Sequence, residues 1–212
     1  LKYEMFKRLN TGGEALSAQE IRNCSARMLG DAGTEFYTFL RKCEADESFR
    51  ICTEELAESD RSKKGDEELV LRFFACKNAE NLFSNNVRNW LDVYMEKVLL
   101  SETAFEYEKE KETFRKLFGF LSRVMGKYPF VKYKNGLPTG GLAPAYFEAV
   151  SIGVLNCLDH IVDSDAQTVR NAIISVVQSS EFRDVTGPGA NTKPKLRGRI
   201  SLIQNPLTQL PK

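Results

Sequence analysis

The chain has 212 residues, 42% of them apolar and 28% charged, which is enough for one good-sized core or two small ones. With 30 Lys and Arg against 29 Asp and Glu, the net charge is +1, so bulk charge points neither to a polyanion nor to a polycation as partner. No apolar run approaches the ~20 residues of a membrane span, which excludes a membrane partner of that kind. The opening Leu-Lys-Tyr-Glu-Met-Phe has neither an initiator Met nor a basic-then-apolar signal, and this predicts a cytoplasmic piece of a longer protein.

The first informative stretch is Phe6 to Cys24, FKRLNTGGEALSAQEIRNC. Phe6 and Asn10 share a helix face, and Asn10, Thr11, Gly12 and Gly13 then stop that helix, because Asn and Gly accept the left-handed conformation of helix C-termini. Ser17 and Glu20 form a capping box for the next helix, with Leu16 and Ile21 placed as a hydrophobic staple. Arg8, Thr11, Gln19, Arg22 and Asn23 surround the Gly-Gly turn with polar groups, and exposed backbone N–H groups of such a turn can receive an anion. A well-made helix–turn–helix connection accounts for most of the same residues without any function.

Helical spacing continues downstream. It links Ile21, Met28 and Leu29; Phe36, Phe39, Leu40 and Cys43; Leu69, Val70, Phe73 and Phe74; and Leu91, Tyr94, Met95, Val98 and Leu99. Residues 58–66 are expected to be a polar loop. The Glu/Lys run from Glu106 to Glu112 reads as a solvated helix face with i, i+4 pairs. Phe114, Leu117, Phe118, Leu121, Val124 and Met125 form the longest stripe. Extended structure is expected around Phe130 to Tyr133, before an Asn135-Gly136 turn. Residues 134–144 are too rich in Gly and Pro for a helix to cross, and Pro144 suits the first turn of the next one. Further stripes run through Phe147, Val150, Val154, Leu155, Leu158 and Ile161, and through Val169, Ile173, Val176 and Val177. Residues 184–195 break the pattern before a basic helix start. The fold class is all-α: an irregular multi-helix bundle, with room for one short hairpin near 130–137.

Side chains able to do chemistry are sparse. Cys24, Cys43, Cys52, Cys76 and Cys157 are scattered and His160 stands alone, which is poor material for a zinc site and fits a reducing compartment. Cys157 and His160 share a helix face, so a Cys–His pair is one reading and core packing the other. There is no triad, Walker lysine or dinucleotide fingerprint, and the GLPTGG stretch at 136–141 lacks the ending of a phosphate loop. Trp90 and the phenylalanines read as core. Arg72 reads as the partner of a buried acid such as Glu148.

Phe6-x-x-x-Asn10 followed by Thr-Gly-Gly-x-x-Leu-Ser-x-x-Glu-Ile-Arg-Asn resembles the ParB/sulfiredoxin-like domain of GmrSD-type restriction proteins. Leu71-Arg-Phe-Phe-Ala75, Trp90-Leu-x-x-Tyr-Met95, Tyr146-Phe-Glu-Ala-Val150 and the closing segment from Phe182 through Lys195 to Ile200 are similar to later blocks of that family, so the resemblance spans roughly Tyr3 to Ile203. It implies a division into 1–29, the trailing helix–turn–helix of the ParB-like domain, and 30–212, a helical domain with a basic C-terminal segment. In that family the nucleotide-handling or nuclease centre carries an Asp-Gly-Gln-Gln-Arg motif, which this chain lacks; a single histidine also cannot build an HNH nuclease site.

The resemblance therefore implies that Phe6, Arg8, Asn10, Thr11, Gly12, Gly13 and Arg22 are one wall of a nucleotide site whose catalytic wall lies in an upstream ParB-like domain of the parent protein. It also implies a nucleoside triphosphate and a divalent metal for the parent, with no cofactor, metal ligand or catalytic residue in this segment. Lys193, Lys195, Arg197 and Arg199 gather four cations behind a Gly/Asn loop, an electrostatic footprint for DNA phosphates or else a solvated helix face. The expected function is the helical part of a DNA-targeting, nucleotide-dependent restriction or phage-defence protein of a prokaryote, bracing the catalytic domain and touching DNA. The alternative is a helical interaction or homo-oligomerisation module without activity. An enzyme complete in itself ranks last.

Overall fold

A computed structural model describes residues 16–211. Its helices are α1 Ala18–Arg27, α2 Asp31–Glu44, α3 Glu47–Cys52, α4 Glu58–Arg61, α5 Gly65–Ala79, α6 Val87–Leu99, α7 Tyr107–Met125, α8 Pro144–Leu155, α9 Leu158–Ile161, α10 Ala166–Gln178, α11 Ser180–Thr186 and α12 Lys193–Leu207. A single 3-10 turn, Glu80–Leu82, follows α5. Two short antiparallel strands, β1 Lys132–Lys134 and β2 Leu137–Thr139, pair Lys132 with Thr139 and Lys134 with Leu137. The all-α expectation with one hairpin thus holds for the described residues. None of their helices is long and apolar enough to cross a membrane.

Local chemistry explains most boundaries. The Ser17 hydroxyl accepts from the Glu20 N–H at 3.2 Å while Glu20 accepts from the Ser17 N–H at 2.7 Å, so the capping box starts α1. Asp46, Asn86, Asp165, Ser179 and Thr192 each accept from the first turn of the helix they open. Pro144 occupies the first turn of α8. Asn135 and Gly136 take φ of 52° and 78°, the left-handed pair needed by a tight two-residue hairpin turn.

Two helices run through the centre. In α5, Leu69 to Cys76 are all buried, and in α8 Tyr146 to Val154 are. The α8 helix is apolar on nearly every side and α5 is so over Leu69–Cys76 apart from Arg72, as suits helices surrounded by others. The α5 helix packs against α1, α2, α6 and α8, while α8 lies along α12. That last approach is close: a Cβ on Gly153 would come within 2.7 Å of the Ile203 Cβ. Aromatic rings link the layers, from Phe39 to Phe74 (5.3 Å between centroids), Phe73 to Phe114 (5.5 Å) and Phe130 to Phe147 (4.8 Å).

Three local expectations are corrected. Residues 58–66 are not a loop: they hold α4 and the start of α5. Arg61 donates to Asp66 Oδ2 at 2.8 Å and to the Thr53 carbonyl at 2.9 Å, and these bonds fix the segment's shape. Glu110 does not belong to a solvated face, since it is buried and accepts from Lys77 at 2.9 Å and Asn78 at 3.2 Å. The apolar rhythm of α1 does not continue into the core at its end, because Met28 and Leu29 lie beyond the last helical residue and are exposed.

Candidate functional site

Of the nucleotide-wall candidates, Phe6, Arg8, Asn10, Thr11, Gly12 and Gly13 lie outside the described residues. Arg22 lies inside them and is fully buried, with its whole guanidinium engaged. Nε donates to Asp92 Oδ1 at 2.7 Å, Nη1 to Glu68 Oε2 and Gln19 Oε1 at 3.1 Å, and Nη2 to the Arg88 carbonyl at 3.1 Å. A phosphate-neutralising arginine needs an accessible fork; this one is turned inward and ties α1 to α5 and α6. Its neighbours reinforce the tie. Gln19 donates to Asn23 at 3.0 Å and Asn23 donates to Glu67, which also accepts from Arg41 at 3.1 Å.

From Arg22 a line of charges continues through the interior. Glu68 takes Arg22 on one oxygen and Arg72 on the other, the latter at 3.0 Å. Arg72 donates onward to Glu148 Oε1 at 2.7 Å, which is the pairing expected from the sequence. The second Glu148 oxygen accepts from Arg199. Three carboxylates (Asp92, Glu68, Glu148) thus alternate with three guanidinium groups (Arg22, Arg72, Arg199) along α6, α1, α5, α8 and α12. The set is neutral in sum, which is how charges become tolerable in a low-dielectric interior. Burial opposes the charge on Glu68, but the Arg72 and Arg22 guanidinium groups outweigh it and hold that carboxyl below its usual range. Burial likewise opposes the charge on Arg72, and Glu148 and Glu68 outweigh it, raising its pKa.

The basic segment divides. Arg199 is buried: besides Glu148, it donates to the carbonyls of Val185 at 3.2 Å and Ala190 at 2.9 Å, so it closes the loop ahead of α12 instead of facing solvent. Lys193 spends its ammonium on the Asn81 carbonyl at 2.6 Å, and the exposed Arg197 pairs with Glu80 at 2.6 Å. Lys195 has no ion-pair partner among the described residues. An outward cationic strip therefore reduces to Lys193, Lys195 and Arg197. The i, i+4 spacing of Glu68 and Arg72 was a readable signal for the interior line. Asp92 gave none, because nothing in its own helix predicts Arg22 as partner.

Four of the five thiols are buried, Cys24 being the half-buried exception. Burial pushes Cys43 up to about 12 and Cys157 up to about 11, and it raises Cys52 and Cys76 as well. Cys157 donates to the Gly153 carbonyl at 3.2 Å, while His160 meets the Leu210 carbonyl at 2.9 Å, so each has a structural partner. Among the described residues no group of His, Cys, Asp and Glu is arranged to hold a metal ion. A groove of about 340 Å³ between α2 and α7, lined by Asp31, Glu35, Phe39, Lys42, Tyr107 and Lys111 among others, includes none of the candidate residues. The chain matches no family model, no curated protein and no solved structure.

Proposed function

We propose that this chain is the helical supporting part of a DNA-targeting, nucleotide-dependent restriction- or defence-type protein acting in the cytoplasm. It braces a catalytic portion that precedes α1 and touches DNA through Lys193, Lys195 and Arg197. The observation that carries this reading is the anchoring of α1. Arg22, fully buried, binds α5 and α6 at once, so α1 is held fast on the bundle and offers a fixed platform. The family resemblance of the segments around Phe6–Asn23, Leu71–Ala75 and Tyr146–Val150 supplies the DNA and nucleotide side of the proposal.

Duplex binding by this chain over a salt series tests the DNA contact. If phosphates draw Lys193 from the Asn81 carbonyl and Arg197 from Glu80 to join Lys195, the slope of log affinity against log salt is about −2.7, and Lys195→Glu lowers its magnitude by about 1. Affinity that does not fall as salt rises, or that ignores Lys195→Glu, removes DNA from the proposal. A second reading, a protein-interaction or self-association module, is favoured by Met28 and Leu29 at the α1–α2 corner and by Leu100 after α6, which are 47%, 54% and 56% exposed. Sedimentation decides that point: a dimer that Leu29→Asp dissociates supports the module, and a clean monomer weighs against self-association.

A further inference from the structure

The interior charge line has a property that its pairs lack singly, because both of its inner acids are shared. Glu68 is held between Arg22 and Arg72, and Glu148 between Arg72 and Arg199. No link can be lost without leaving the next carboxylate half compensated: Glu148 lies in a site that excludes water, and Glu68 is partly exposed. The arginines also have little to fall back on. Arg72 Nε and Arg199 Nε are buried without a hydrogen-bond partner among the described residues, so the shared carboxylates and, for Arg199, the carbonyls of Val185 in α11 and Ala190 in the loop after it position them. The ends of the line are far apart in sequence. Arg22 fixes the helix that follows the candidate nucleotide wall, and Arg199 fixes the loop and helix that carry the candidate DNA-facing cations.

We infer that this line joins α1 and the start of α12 into one cooperative unit that opens and closes together. Seating a domain on α1 then steadies the cationic start of α12, and a polyanion on α12 steadies α1, because any gain at one end must appear at the other. The coupling runs through α5 and α8 by the shared carboxylates. It does not require that the polyanion be DNA, so it can fail or stand separately from the function proposed above.

Native-state hydrogen exchange, read by mass spectrometry on the whole chain, tests the inference. Arg199→Lys keeps the charge but loses the fork that serves Glu148 and the Val185 and Ala190 carbonyls together. The expected result is faster exchange in α12 and also in Ala18–Arg27, by about five-fold or more, with α7, which contributes no member to the line, changing by less than about two-fold. The reciprocal variant at the other end, Asp92→Asn, is expected to speed exchange in α12. It also keeps the test decisive if Arg199→Lys does not fold. Unfolding constants of Arg22→Lys, Arg199→Lys and the double variant supply a second readout, expected to depart from simple multiplication by about three-fold or more. Acceleration confined to the mutated end overturns the inference, as does a uniform acceleration of every helix including α7, or single effects that multiply.

Discussion

Removing the charge of Glu148 is the sharpest perturbation this structure offers. Glu148→Gln is nearly isosteric, so packing around Phe147 and Val150 is preserved while the acid that faces both Arg72 and Arg199 is lost. The residue is 2% exposed, so water cannot replace the missing charge. Arg72 keeps Glu68 at 3.0 Å, but Arg199 is left with neutral acceptors alone, the amide oxygen at best and the Val185 and Ala190 carbonyls. The cost therefore concentrates on one buried, uncompensated guanidinium. Breaking a buried pair in this way costs about 3–5 kcal/mol, a large share of a total stability of roughly 5–15 kcal/mol. For a chain of this length each kcal/mol moves the melting midpoint by about 2–4 °C, so a fall of roughly 6–20 °C is expected in calorimetry, with a matching shift of the urea midpoint at unchanged slope. A loss below about 1 kcal/mol for Glu148→Gln would refute the reasoning, because the carboxylate could then not be the sole compensating charge for Arg199.

Three further outcomes follow from other parts of the molecule. Because the folded-state pKa of Glu68 lies below its ordinary value of 4.5, its contribution to stability is fully present above that pH and is lost as pH falls through the lower, folded value; the acid limb of a stability–pH curve should be shallower in Glu68→Gln, and an unchanged limb contradicts the charge assignment. Gly153→Ala would drive a Cβ to 2.7 Å from the Ile203 Cβ and 2.9 Å from the Ile200 carbonyl, forcing α8 and α12 apart; denaturant unfolding should report a loss of about 1–3 kcal/mol, and a neutral result would contradict so close an approach of the two helices. Alkylation of the native protein near neutral pH should mark Cys24, which is half-buried, well before Cys43, Cys52, Cys76 and Cys157; equal rates read by peptide mapping would contradict their burial.

Much of the fold was legible in the amino-acid order because its signals are local. Ser17 and Glu20 specify a helix start through bonds three residues apart, Asn135-Gly136 specifies a hairpin through backbone dihedrals, and Pro144 specifies a first turn. Each works within a few residues, where chain geometry leaves few alternatives. The burial of Arg72 against Glu148 was also readable, since a charge embedded between Phe73, Phe74 and Leu71 must find an acid in another helix that is equally apolar around it. The candidate site was less legible. Cation clusters look alike in sequence whether they face water or the core, and Arg22 and Arg199 carry the same local signature as Arg197.

Most of the longer helices, the Ser17 cap and the hairpin follow from residue order alone, because propensity, periodicity and capping act over one or two turns. Which charges meet depends on contacts between helices far apart in the chain. Arg22, Glu68, Arg72, Glu148 and Arg199 come from four helices, and their pairing depends on how α1, α5, α8 and α12 are stacked. Stacking is set by the shapes of apolar faces such as Gly153 against Ile203, not by the charges themselves. That is why two arginines that read as surface cations became buried links: packing fixed the helices, and in a water-poor interior each charge then had to meet an opposite one.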